Sequence, residues 1–207
     1  TQLRRLPRQI VYGQLPLDAS LSSMGEIEER LKEIGFELDS SKLPAEYFEI
    51  AEASQIRRGQ LAALLYLEFR MVFDAMQATS NSIATDINGN WAAQYIRKLL
   101  QLGVLEVFPN HTFQPETFVS RIDLARSFGA VLKLLNPSVY VTAKRAAGYE
   151  HLFTDVSTEN IYYEPAAVCA SLGILQVGDS GEFGFQGKVS GPDLVLAVAA
   201  LASNVRR

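Results

Sequence analysis

Apolar residues recur at helical spacing in two stretches that share one frame. In the first, Trp91, Tyr95, Ile96, Leu99, Leu100 and Leu102 lie on one helical face and run into Gly103, which can take the left-handed backbone that ends a helix. Ser120 then stands as N-cap to a second amphipathic run. There Ile122, Leu124, Ala125, Phe128, Val131, Leu132 and Leu135 form one broad apolar face. The pattern returns between Ile161 and Ala197. Leu102-Gly103-Val104-Leu105 is matched by Leu172-Gly173-Ile174-Leu175, Phe113-Gln114 by Phe185-Gln186, and Val119-Ser120 by Val189-Ser190. Trp91 to Gly103 and Ile161 to Gly173 each span 12 positions, and Gly103 to Ser120 and Gly173 to Ser190 each span 17. Shared letters at shared spacing mark an internal repeat.

A divergent copy lies upstream. Ile27 to Phe36 reads as the end of a first helix, and Ile56-Arg57-Arg58-Gly59-Gln60-Leu61-Ala62 parallels Val119 to Ala125. The connection from Gly35 to Arg58 is 23 positions, against 18 from Gly103 to Arg121. The pattern therefore predicts an all-α domain over residues 22–207, built from three helical hairpins (helix, loop, helix) at roughly 22–77, 84–136 and 153–203. Residues 1–21, with Pro7, Gly13 and Pro16, read as a lead-in from something larger, and Thr1 in place of methionine points to an upstream start. Asn136-Pro137-Ser138 stops a helix, a short further helix is expected over 142–149, and 178–187 reads as a glycine-rich loop with a brief extended pair.

Composition narrows the chemistry. The chain has 207 residues, 48% of them hydrophobic, which is ample for a core without staples. A net charge of -4 argues against a nucleic-acid partner. The longest wholly apolar run, Leu194 to Ala202, is about half of a membrane span. A single cysteine excludes an internal disulfide and a Cys-rich metal site, and two histidines leave little for metal or acid–base work. Asp86-Ile87-Asn88-Gly89-Asn90 has the oxygen spacing of a calcium loop, but Trp91 and Arg97 stand where glycine and glutamate are needed, so calcium is rejected. No nucleotide-binding, serine-hydrolase or zinc-protease motif occurs, so neither catalysis nor a cofactor is expected.

The candidate residues cluster at the second-helix starts. Ser120 with Asp123, and Ser190 with Asp193, have the spacing of a capping box, in which the carboxylate also suits the helix dipole. Arg121 would occupy the first helical position, where the dipole disfavours a cation. It needs either a carboxylate such as Asp123 or Glu116, or an anionic ligand gripped beside the helix amides. Arg58 is its counterpart upstream, with Gln60 at the acid position; Gly191 replaces it downstream. Trp91 is either core or a platform for a sugar. Of Tyr162 and Tyr163, one is expected packed and the other exposed. Cys169 lies in an apolar stripe and reads as a buried thiol, while His111 and His151 read as loop residues.

These residues resemble the S-layer homology (SLH) family. The middle unit carries the family's landmarks in Asp86-Ile87, Trp91-Ala92, Leu102-Gly103-Val104, Phe108-Pro109-Asn110-His111-Thr112-Phe113 and Ser120-Arg121-Ile122-Asp123. The last has Phe153-Thr154-Asp155-Val156, Leu172-Gly173-Ile174 and Ser190-Gly191-Pro192-Asp193, and the first keeps Gly35 and Arg58-Gly59-Gln60. Val107 and Val177 stand where the family has glycine, and a branched side chain there would narrow a groove; His111 replaces a loop glycine. The resemblance implies three repeats in a pseudo-threefold bundle at the bacterial cell surface or in the periplasm. It implies grooves between repeats for an acidic, pyruvylated cell-wall polysaccharide, read by Arg121 and Arg58 with Trp91 and Asp123. The module would anchor a larger surface protein without catalysis. The rival is a degenerate SLH-like scaffold that binds an envelope protein, for which Val107, Val177 and Gly191 argue. A tetratricopeptide array is disfavoured because the period is near 70, not the ~34 of such repeats. Glycan binding predicts an exposed groove lined by Arg121; scaffolding predicts an exposed apolar patch.

Overall fold

A computed structural model of the chain describes residues 43–148 and 152–207. The expected lead-in, the helix ending near Gly35, the residue Tyr149 and the loop residue His151 lie outside the described residues. Within them the chain is all-α: eight helices and no strand beyond two isolated antiparallel bridges. In chain order these are α1 (Ala45–Phe48), α2 (Arg58–Glu68), α3 (Arg70–Ala75), α4 (Ala93–Gln101), α5 (Arg121–Leu135), α6 (Pro137–Ala147), α7 (Tyr163–Ser171) and α8 (Gly191–Val205).

Local chemistry accounts for the ends. α4 and α7 close with the same two bonds: Gly103 N–H donates to Leu100 O (3.1 Å) and Val104 N–H to Leu99 O (2.9 Å), as Gly173 does to Ala170 O (3.0 Å) and Ile174 to Cys169 O (2.9 Å). This pairing defines a Schellman cap and requires the left-handed backbone that Gly103 (φ 69°) and Gly173 (φ 68°) adopt. At the start of α5 the Ser120 amide and hydroxyl both donate to Asp123 Oδ2, at 2.9 and 2.7 Å. Ser190 and Asp193 repeat the box on α8. In the first copy Gln60 takes the acid's place, its Oε1 accepting from the Arg57 amide at 2.9 Å.

The expected break at Asn136 is real, but it is also a start. Asn136 Oδ1 accepts from the Val139 amide at 3.3 Å, Pro137 sits in the first turn, and α6 begins there rather than at Thr142. The inserted helix packs on α5 and α7.

The helices do not pair as closed hairpins. α4 lies on α2 and α7 lies on α5, so the first helices of the middle and last units each cover the second helix of the preceding unit. Leu64, Ile96, Phe128, Val198 and Leu201 fill the core between them at 0% exposure. A large apolar side chain buried in this way contributes about 1.5–3 kcal/mol.

The second helices are joined at their starts. Ile56, Val119 and Val189, all buried, precede them; Ile56 N–H donates to Val189 O and Val119 N–H to Ile56 O, both at 2.8 Å. The opening amides of each helix, which have no partner of their own, then reach a loop of another unit. Arg58 N–H bonds Thr117 O (2.9 Å) and Gly59 N–H bonds Pro115 O (2.8 Å). Arg121 N–H bonds Gly187 O (3.1 Å), and Gly191 N–H bonds Ala53 O (2.7 Å).

Candidate functional site

The middle and last loops that receive a helix start are each held by a carboxylate. Asp86 accepts from the Phe113 and Gln114 amides, both at 2.7 Å, and Asp155 accepts from Phe183 (2.7 Å), Gly184 (2.8 Å) and Phe185 (3.2 Å). Burial pushes Asp155 upward, but these three donors outweigh it and leave its pKa below the ordinary carboxylate value. The Asp86 oxygens are thus committed to the loop rather than turned to a cation. Among the described residues no group of three or more His, Cys, Asp and Glu side chains is placed to hold a metal ion.

Two arginines enter these loops in the same way. Arg58 Nε donates to Phe113 O at 2.9 Å and a terminal nitrogen donates to Glu106 O at 3.1 Å, with the guanidinium over the Phe113 and Phe108 rings at 4.5 and 4.9 Å. Arg121 Nε donates to Phe183 O at 2.7 Å and a terminal nitrogen to Gln176 O, with Phe183 beneath it at 5.1 Å. Burial lowers the pKa of both; for Arg58 the Asp123 carboxylate opposes that loss, and for Arg121 Asp193 and Asp155 do.

Of the two partners left open for Arg121, a carboxylate or an anionic ligand, the carboxylate is neither Asp123 nor Glu116. Asp123 is engaged with Ser120, and Glu116 pairs with Arg57 at 3.3 Å. Loop carbonyls contributed by the following unit satisfy the cation at the helix start instead. Being far away in sequence, they leave no local signal.

One inter-unit groove among the described residues has Arg58 on its wall, and Arg121 is not in its lining. It is lined by Arg58, Glu106, Phe113, Asp123, Arg126 and Ser127 among others, and encloses about 60 Å³. That space holds a few waters or a carboxylate-sized group, and the groove is open to solvent. Trp91 is not part of the lining. It is half-buried against the core and meets Tyr95 edge-on at 6.3 Å. Val107 also packs on the core, while Val177 is exposed.

Gly191 stands where the third cation belongs because nothing larger fits. A Cβ there would lie 1.7 Å from the Ile50 carbonyl oxygen. Cys169 is fully buried and its thiol is pushed up to about 12 by that burial, which removes it as a nucleophile. Tyr163 is buried and Tyr162 half-buried beside Phe185.

Sequence reasoning passed over Arg126 and Glu106. Arg126 lies over the Tyr162 ring at 4.7 Å and holds Glu106 Oε2 at 2.5 Å. Its position three residues after Asp123, one helical turn on, was the available signal.

Residues 85–125 match the family model of the S-layer homology domain. The match covers the middle unit up to the first turn of α5 and includes Asp86, Trp91, Gly103 and Arg121. None of the curated proteins compared matches this chain. S-layer homology domains are binding modules that anchor proteins to cell-wall polymers, which associates this segment with the cell envelope. No helix among the described residues is long and apolar enough to cross a membrane.

Proposed function

We propose that this chain is a non-catalytic module of three S-layer-homology-like repeats in a pseudo-threefold bundle. It binds an acidic, pyruvylated wall polysaccharide outside the cytoplasm and so anchors a larger envelope protein. Support for the threefold arrangement comes from the succession of helix starts. That of α2 bonds the middle loop at Pro115 and Thr117, that of α5 bonds the last loop at Phe185 and Gly187, and that of α8 bonds Ala53 in the first unit.

The observation that carries glycan binding is Arg58 at the wall of an inter-unit groove. A guanidinium has five N–H donors. Arg58 commits two of them to the Phe113 and Glu106 carbonyls, which fixes the fork, and three remain for an anion. Arg121 has the same posture and is the second candidate contact. Asp123 serves as the cap that sets the groove wall, and Trp91 keeps its role as a possible sugar platform only outside this groove.

The test is co-sedimentation of the full chain with wall sacculi, with their acidic polysaccharide intact or chemically stripped. Wild type should pellet with intact sacculi and not with stripped ones, and Arg58→Gln should lose binding while its thermal unfolding remains cooperative. Binding that survives both stripping and substitution would overturn the glycan reading. It would favour the second one, an envelope scaffold, for which Gly191 speaks by removing one of the three cations.

A further inference from the structure

Glu106 is shared between two cations. Its backbone carbonyl accepts from Arg58 at 3.1 Å, while its carboxylate accepts from Arg126 at 2.5 Å. Both arginines line the same groove. Arg126 is aimed there by two independent features: it lies on the helix face of Asp123 and Ser127, and its guanidinium rests on the Tyr162 ring of the last unit at 4.7 Å. The groove is lined by the first and middle units, and Tyr162 of the last unit supports Arg126 from outside the lining.

We infer that Arg126 is a second anion-reading residue of this groove and that Glu106 holds its guanidinium as an internal substitute for the ligand's carboxylate. The inference rests on the glycan reading above and deepens it by naming how the acidic group is recognised.

Three observations support the exchange. The Glu106 side chain is 73% exposed and that of Arg126 34%, so the bond between them is a solvent-screened surface pair of small net worth. A ligand carboxylate can therefore replace Glu106 on Arg126 at little cost. Asp123, the other carboxylate in the lining, is engaged by Ser120 at 2.7 Å and its charge favours the Arg58 cation, so the Arg126 fork is left to Glu106. Burial and then the like charge of Arg126 lower the pKa of Arg58, so an anion placed between the two guanidinium groups offsets their repulsion. The ligand class is a saccharide bearing a carboxylate on a compact substituent, since the groove has room for that group between two guanidinium groups. A neutral saccharide offers the two guanidinium groups hydroxyl acceptors but no opposite charge.

The test is calorimetric titration of the full chain with the pyruvate ketal of a methyl hexoside, with the unmodified methyl hexoside as neutral control. Arg126→Ala should weaken ketal binding about tenfold, and Arg126→Lys should recover only part of it because the planar fork is lost. Glu106→Gln should tighten ketal binding about threefold or more by removing the competitor, a gain that a merely structural role for the pair does not produce. The neutral hexoside should respond to none of these changes. Ketal binding by wild type that is unchanged in Arg126→Ala and Glu106→Gln would overturn this inference and leave the glycan reading standing. If wild type neither binds the ketal nor pellets with sacculi, both readings fail together.

Discussion

The starts of α5 and α8 share a sequence plan and differ at one position. Both open with serine, both fold the carboxylate three residues on back over the serine, and both send an opening amide into another unit's loop. At the first helical position α5 carries Arg121 and α8 carries Gly191. The helix itself does not choose between them. Arg121 lies beside Gly184 and Gly187, and Gly187 is so close to its methylene chain that a Cβ there would sit 3.0 Å from Cδ. Gly191 faces the Ile50–Ala53 backbone, which fills the space a side chain would need. The difference teaches that whether a unit can keep its cation is decided by the loop it docks on.

The sharpest way to break this comparison is Gly191→Ala. The methyl group must displace backbone rather than a flexible side chain, so a loss of at least about 3 kcal/mol is expected in urea unfolding. Tolerance of that substitution would show that α8 is free to shift away from Ile50. Arg121→Ala introduces no clash and removes two charged bonds to the Phe183 and Gln176 carbonyls, for an expected loss of about 2 kcal/mol in the same measurement.

A smaller effect follows from Asp155. Its folded pKa lies below the ordinary 3.8, so the stability it contributes is complete above that pH and disappears as pH falls through the folded value. Thermal unfolding followed from neutrality downward should show wild type losing stability below pH 3.8, and Asp155→Asn should be weaker at neutral pH with a flatter acid limb. The smallest expected effect is a gain. His111 (φ 60°) and Gln114 (φ 57°) hold the left-handed backbone that Gly181 and Gly184 hold in the last loop. Relief of that strain by His111→Gly, less the added freedom of the unfolded chain, should raise stability by ~0.5 kcal/mol in denaturant titration.

What could be read from the sequence follows the reach of each interaction. The capping boxes at Ser120 and Ser190 and the glycine ends at Gly103 and Gly173 were legible because every partner lies within a few residues. So was the buried thiol of Cys169. The start of α6 was misplaced because Asn136-Pro137 reads equally as a stop and as a cap, and only the Val139 amide decides. The partners of Arg58 and Arg121 were not legible, since the carbonyls they hold belong to another unit. The same holds for Gly191, whose small size is dictated by Ile50. Arg126 shares a helix face with Asp123, but its contact with Tyr162 is long-range and has no local sign in the sequence.

The bonds from Ile56 to Val189 and from Val119 to Ile56 tie early, middle and late parts of the chain at one point. Detaching one unit would therefore break hydrogen bonds that its neighbours share with it. In hydrogen–deuterium exchange the Ile56 and Val119 amides should open only with the whole domain, as one cooperative event. Tension applied to a protein anchored through this module would meet a single knot rather than a chain of links that yield one by one.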